Sequence, residues 1–218
     1  MTEAMPSDDF VVSFATTEDA RAWLIDRVAY LAGVAGQQGS PRVSFSALRT
    51  ANVAGSGAST PAMYYYETDE LVFHPREVAT GIINTQIADA IVLHELGHRA
   101  DPGPMLRKRI SQGLWIVAAV AGMWFLLSHS GWAVALLSVT GLLGYVWLSW
   151  NASALRKEED MADDYALAHG GSEPILSFLR ASVVDPTAEG TAVHRKPADR
   201  LARMERKVAE TGAVPRRF

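Results

Sequence analysis

The stretch IADAIVLHELGHRADPGPMLRKRI holds two histidines and a glutamate at a spacing that can do chemistry: His94, Glu95 and His98. Residues 94 and 98 are one helical turn apart, so both imidazoles leave the same face and can grip one ion. Glu95 is rotated away by one residue and stands beside such an ion, where a base that deprotonates water is needed. Cysteine is absent. Thiolate ligands and disulfides are thereby excluded, and any metal is held by His, Asp and Glu. A zinc ion used for hydrolysis takes three protein ligands and leaves a fourth position to water, so one ligand is missing from this stretch. The competing reading makes the two histidines surface residues of an amphipathic helix packed through Ile91, Val92 and Leu96.

The third ligand must be a carboxylate or a histidine from another element. His74, His129, His169 and His194 are each isolated in the chain. The segment ASALRKEEDMADDYALAHGG is rich in acids, with Glu158, Glu159, Asp160, Asp163 and Asp164. Glu159 and Asp163 share one helical face, flanked by Ala162 and Ala166, which leave room for close helix contact. Glu159 can ligate an ion while Asp163 accepts the N–H of a ligand histidine and fixes its orientation. Taken alone, this acidic cluster reads as a solvated helix surface. Joined to the two histidines, it completes a metal site.

These residues need elements to carry them. ATTEDARAWLIDRVAYLAGVAG has threonines that can cap a helix and apolar spacing at Ala20, Trp23, Leu24, Val28 and Leu31. RVSFSAL, PAMYYYE and ELVFHP read as short strands, and Thr68-Asp69 turns the last two into a hairpin. ANVAGSGAST is a loop. TQIADAIVLHELGHRA is a helix stopped by DPGP. The acidic segment is a helix closed by Gly170-Gly171. Ser172 can cap EPILSFLRAS, and KPADRLARMERKVAETG has Pro197 in its first turn and Gly212 past its end.

Between Arg109 and Arg156 lie 46 residues without one Asp, Glu, Lys or Arg. Ile110–Ser128 and Trp132–Trp150 are each close to the roughly 20 helical residues that cross a bilayer. The short turn SHSG lies between them, and Trp115, Trp132, Trp147 and Trp150 fall near their ends as an aromatic belt would. A transmembrane hairpin is expected, since a chain of 218 residues can hardly enclose two such helices. Arg107, Lys108 and Arg109 precede the pair, and Arg156 and Lys157 follow it. The positive-inside rule then puts both termini and the chemistry in the cytoplasm, at a cell (inner or plasma) membrane. The opening MTEAMPSDDFVVSF has no apolar core and reads as neither a secretory signal nor a transit peptide.

The net charge of −4 gives no reason to expect nucleic acid. Residues 191–218 carry eight bases against three acids, but with Phe218 as the one Phe, Tyr or Trp they lack the aromatics that would stack bases. That tail reads either as a solvated helix face or as a segment resting on anionic lipid headgroups.

HELGH, a membrane hairpin and then RKEEDMADDYA together resemble the gluzincin membrane endopeptidases of the HtpX and CaaX-prenyl-protease type. The resemblance covers about residues 50 to 205. In that family an Arg-x-x-Glu-x-x-Ala-Asp-x-x-Ala helix supplies the third ligand, matched here by Arg156, Glu159, Ala162, Asp163 and Ala166. A third family motif, His followed six residues later by Arg, is met by His194 and Arg200. The resemblance implies that His194 helps stabilise the oxyanion and that Arg200 orders the site; read alone, both are ordinary residues of a basic helix. The family's proline pair after the His is Arg195-Lys196 here. The Asn-Ala start of its substrate strand is Asn52-Val53, and the upstream spans of many relatives are absent.

The expected fold is α+β and mostly helical: a zincin-like domain with a small β-hairpin or sheet and an inserted two-helix transmembrane hairpin. Residues 1–109 carry the N-terminal helix, the sheet and the motif helix, 110–150 the hairpin, and 151–218 the third-ligand helix and the closing helices. The expected activity is zinc-dependent endopeptidase cleavage of protein or peptide substrates, with one zinc ion on His94, His98 and Glu159. Glu95, His194 and Arg200 are the expected catalytic residues, and the strand at Met63–Tyr66 could pair with an extended substrate. Three alternatives stand beside it: a non-catalytic zinc-binding membrane scaffold or sensor, a soluble-type regulatory protease acting on a repressor, and a membrane-interaction protein without metal.

Overall fold

A computed structural model describes residues 10–50, 60–128, 131–184 and 195–212. The chain is mostly helical with small sheets. It divides into two compact units: the described residues up to Ala100 together with those from Glu158 onward, and Asp101–Lys157.

In the first unit, strand β1 (Val11–Ser13) leads to helix α1 (Thr17–Val34). Thr16 caps α1: its backbone is extended, and its hydroxyl accepts the Asp19 N–H at 3.1 Å. Glu18 and Asp19 in the first turn suit the positive end of the helix. Strands β2 (Arg42–Phe45), β3 (Ala62–Tyr65) and β4 (Glu70–Phe73) form one sheet in the order β2-β4-β3. β4 lies parallel to β2 and antiparallel to β3, with Tyr64 opposite Leu71. As the central strand, β4 is buried throughout. Its one carboxylate, Glu70, is neutralised by Arg49 at 2.7 Å, as a buried charge requires. Asp69 makes the β3–β4 turn at φ 47°, a left-handed conformation that Asp tolerates better than most residues.

A short helix α2 (Arg76–Ala79) and strand β5 (Ile82–Asn84) follow, and β5 pairs antiparallel with β1. This second sheet is not visible in the sequence pattern, because three-residue strands carry no period. Asn84 ends β5 and caps helix α3 (Thr85–Ala100), accepting the Gln86 and Ile87 N–H groups at 3.0 and 3.2 Å.

Helix α4 (Gly103–Ser128) precedes helix α5 (Gly131–Gly170), which is one continuous element of 40 residues. The residue pattern suggests a span ending at Trp150 and a separate helix after it. However, no glycine or proline stands between Tyr145 and His169, so nothing stops the helix. Gly171, at φ 86°, separates α5 from helix α6 (Ser172–Val184). Helix α7 (Pro197–Thr211) begins on Pro197 and ends before Gly212 at φ 80°.

The core of the first unit joins Leu24, Val28 and Leu31 of α1 to Phe73 of β4 and Leu93 and Leu96 of α3. Leu167 of α5, Ile175 and Leu179 of α6, and Met204 of α7 complete it. The basic segment is neither solvated nor free for lipid along its inner face. Arg203 donates to Asp164 at 2.6 Å, Lys207 pairs with Asp164 at 2.8 Å, and Arg195 makes two 3.0 Å bonds to Asp160.

In the second unit, Trp147 of α5 donates its indole N–H to Ser111 of α4 at 2.8 Å. Large apolar side chains are exposed along both helices, including Trp115 at 76% and Trp132 at 81%. Among the described residues one helix, Val134–Gly170, is long and apolar enough to cross a membrane.

Candidate metal centre

Helix α3 presents His94 and His98 one turn apart, with ring centroids 4.9 Å from each other. α5 brings Glu159 across to them. His94 Nε2 lies 3.5 Å from Glu159 Oε2, and His98 Nε2 lies 3.5 Å from Glu159 Oε1. One ligand atom from each of the three falls within 4.8 Å of the others, so the group could hold a metal ion. The closeness of the two helices rests on Gly97. A Cβ at that position would stand 2.8 Å from Ala162 Cα and 3.0 Å from Tyr165 Cβ, closer than carbon atoms pack. Ala162 and Ala166 are almost wholly buried on the facing side.

Asp163, fully buried, holds His94 from behind. His94 Nδ1 lies 3.0 Å from Asp163 Oδ1. A carboxylate only accepts, so Nδ1 carries the proton and Nε2 is the atom that faces Glu159. Arg200 of α7 grips the same carboxylate with two bonds, Nη2 to Oδ1 at 2.6 Å and Nε to Oδ2 at 3.0 Å. Arg200 therefore acts on the site through Asp163 and His94. His194 lies outside the described residues. His74 accepts the Arg76 N–H at 3.1 Å, and the His169 ring packs tilted against Tyr165 with centroids 4.3 Å apart.

Glu95 is buried at 8% exposure and is fixed from the sheet: the backbone N–H of Tyr64 donates to its Oε2 at 2.8 Å. Tyr64 lies on β3, whose one strand partner among the described residues is β4, so the far edge of β3 borders this carboxylate. The contact has no signal in the sequence, because it uses backbone.

The environment separates the titrations of these groups. Burial pushes the Glu95 carboxyl up and Glu159 adds to the push; His94, the Tyr64 amide and Arg200 pull back, leaving it at about 7. Burial lowers His98 to about 4, helped by the charge on His94. Burial also works against protonated His94, but hydrogen bonds to Asp163 and Glu159 outweigh it and carry the ring to about 10. Burial disfavours the Asp163 anion too, yet the Arg200 charge and the His94 bond hold its carboxyl well below the usual range. A carboxyl near neutrality beside an ion-sized cluster of donors can give and take protons, the requirement for general acid–base work. Compared with family models, curated proteins and solved structures, the chain matches none.

Proposed function

We propose that this chain is a membrane-anchored zinc endopeptidase of the gluzincin type, cutting protein substrates on the cytoplasmic side. The observation that carries the reading is the convergence of His94, His98 and Glu159, with Glu95 beside them and Asp163 behind them. Around a tetrahedral ion with ligand bonds of about 2.0–2.1 Å, neighbouring ligand atoms lie about 3.3–3.4 Å apart. The two 3.5 Å separations, one to each Glu159 oxygen, are close to that spacing. Two imidazoles and one carboxylate suit zinc, and a three-ligand set leaves the open position of a catalytic site.

The fitting residues are thus His94, His98 and Glu159, and a zinc ion there supplies Lewis-acid chemistry to water and to a scissile carbonyl. Glu95 takes the proton of the attacking water on its free oxygen and returns it to the leaving amine. Asp163 keeps His94 in the tautomer that faces Glu159, and Arg200 keeps Asp163 charged. The outer edge of β3 offers backbone groups to an extended peptide beside the site.

The membrane part of the reading is supported by the second unit, whose two helices expose Trp115, Leu127, Trp132 and Tyr145. α5 at 40 residues runs about 60 Å, twice the hydrocarbon thickness of about 30 Å. One half crosses and the other carries Glu159. The basic clusters at Arg107–Arg109 and Arg156–Lys157 keep both ends of the hairpin cytoplasmic.

The test is casein cleavage by the detergent-solubilised wild type and by Glu95→Gln, each with zinc and with chelator. The proposal expects zinc-dependent cleavage by the wild type and none by Glu95→Gln, with equal zinc in both. A Glu95→Gln protein that functions unchanged favours the zinc-binding scaffold instead.

A further inference from the structure

Arg99 follows the second histidine and closes the last turn of α3. Its guanidinium has five N–H donors, and each finds an acceptor. Nε and Nη2 take the two oxygens of Asp69 at 2.7 and 2.8 Å. Nη1 donates to Gln37 Oε1 at 3.0 Å and to the Gly39 carbonyl at 2.8 Å, and Nη2 also reaches the Gln38 carbonyl at 3.3 Å. Asp69 sits in the β3–β4 turn at φ 47°, a conformation that costs energy for a residue with a side chain. Its Oδ1 also accepts the Tyr64 hydroxyl at 2.7 Å. Tyr64 is the residue whose backbone N–H fixes Glu95. Gln37 closes the loop, donating to the Leu96 carbonyl at 2.8 Å and to the Tyr165 hydroxyl at 2.9 Å. A single side chain thus ties the end of α3 to the turn of the sheet and to the loop after α1.

We infer that Arg99, through Asp69 and Tyr64, is a positioning residue for Glu95: it sets the edge of β3 so that the Tyr64 amide holds one carboxylate oxygen and leaves the other for water. The inference rests on the proposed protease reading for its catalytic consequence, but the structural link stands without it. A plain structural role would not need a bond to Asp69 from the tyrosine that touches Glu95. Lysine cannot replace the fork, because it offers one point charge where five directed donors are used.

The experiment uses the full-length, detergent-solubilised chain and two variants, Arg99→Lys and Tyr64→Phe; the second removes one hydroxyl and leaves the fold's core intact. Amide hydrogen exchange at Tyr64 is measured first, with Leu71 and Val72 of β4 as internal references. Exchange at Tyr64 is expected to rise about tenfold in Arg99→Lys and less in Tyr64→Phe, with the β4 amides unchanged. In the zinc-loaded protein, kcat on casein should then fall about tenfold for Arg99→Lys, with KM within about twofold and zinc content constant. Wild-type exchange at Tyr64 in both variants overturns the inference, as does faster exchange with an unchanged kcat. If exchange responds while the wild type cleaves nothing, the protease reading has failed and the Arg99–Tyr64 link has not.

Discussion

At the scale of the residue, the two histidines of the candidate centre are chemically unlike. His98 is neutral at physiological pH, with its pKa lowered to about 4, whereas His94 retains a second proton up to about 10. A metal ligand must present a lone pair, so binding expels a proton from His94 and none from His98. The sign follows directly: protons compete below the raised pKa of His94, and competition fades as pH climbs toward it. Zinc uptake at pH 8 is therefore expected to release about one proton, and apparent affinity to rise about tenfold per pH unit from 7 to 9. Calorimetry in two buffers of different ionisation heat, repeated across that range, measures both. Release of two protons, or a flat affinity, would show that Asp163 and Glu159 do not hold the second proton on His94 as described.

At the scale of the element, the site depends on how closely α3 and α5 approach, and Gly97 controls that distance. With alanine there, contacts of 2.8 and 3.0 Å must open to about 3.5–4.0 Å, and the helices part by about 1 Å. Alanine's better helix propensity returns about 1 kcal/mol against an overpacking cost of about 1–3 kcal/mol, so the net loss of stability is at most about 2 kcal/mol. Metal affinity is the sensitive readout, and competition with a chelator should show Gly97→Ala weakened about tenfold or more. The elements bearing the ligands were legible in the sequence because a turn's spacing puts His94 with His98 and Glu159 with Asp163 on common faces, whatever the tertiary structure. That Gly97 sits at the helix contact was not legible, since a glycine inside HELGH has no period to betray it. Nor was the docking of α7, whose Arg200 and Arg203, with Arg195 just before the helix, find carboxylates between 35 and 39 residues away. Charge alone cannot say whether an acidic and a basic helix meet each other or water. The parallel pairing of β2 with β4 and the three-residue strands β1 and β5 escaped for a similar reason: register between distant strands is a tertiary fact.

At the scale of the whole molecule, an apolar unit of residues 101–157 interrupts a unit whose two parts each hold a share of the candidate centre. The exposed tryptophans and leucines of that insertion are stable in lipid and a liability in water. The chain is accordingly expected to sediment with membranes and to stay there through high salt and alkaline carbonate, as detected by immunoblot of the fractions. Release into the supernatant would mean that the apolar helices are covered by protein instead of bilayer. The central claim is that residues before and after the insertion close on one ion. Its most direct measurement is the zinc content per chain of purified wild type and Glu159→Ala after dialysis against a weak chelator. One zinc per wild-type chain and a large loss in Glu159→Ala are predicted, and equal retention by both proteins would contradict the account.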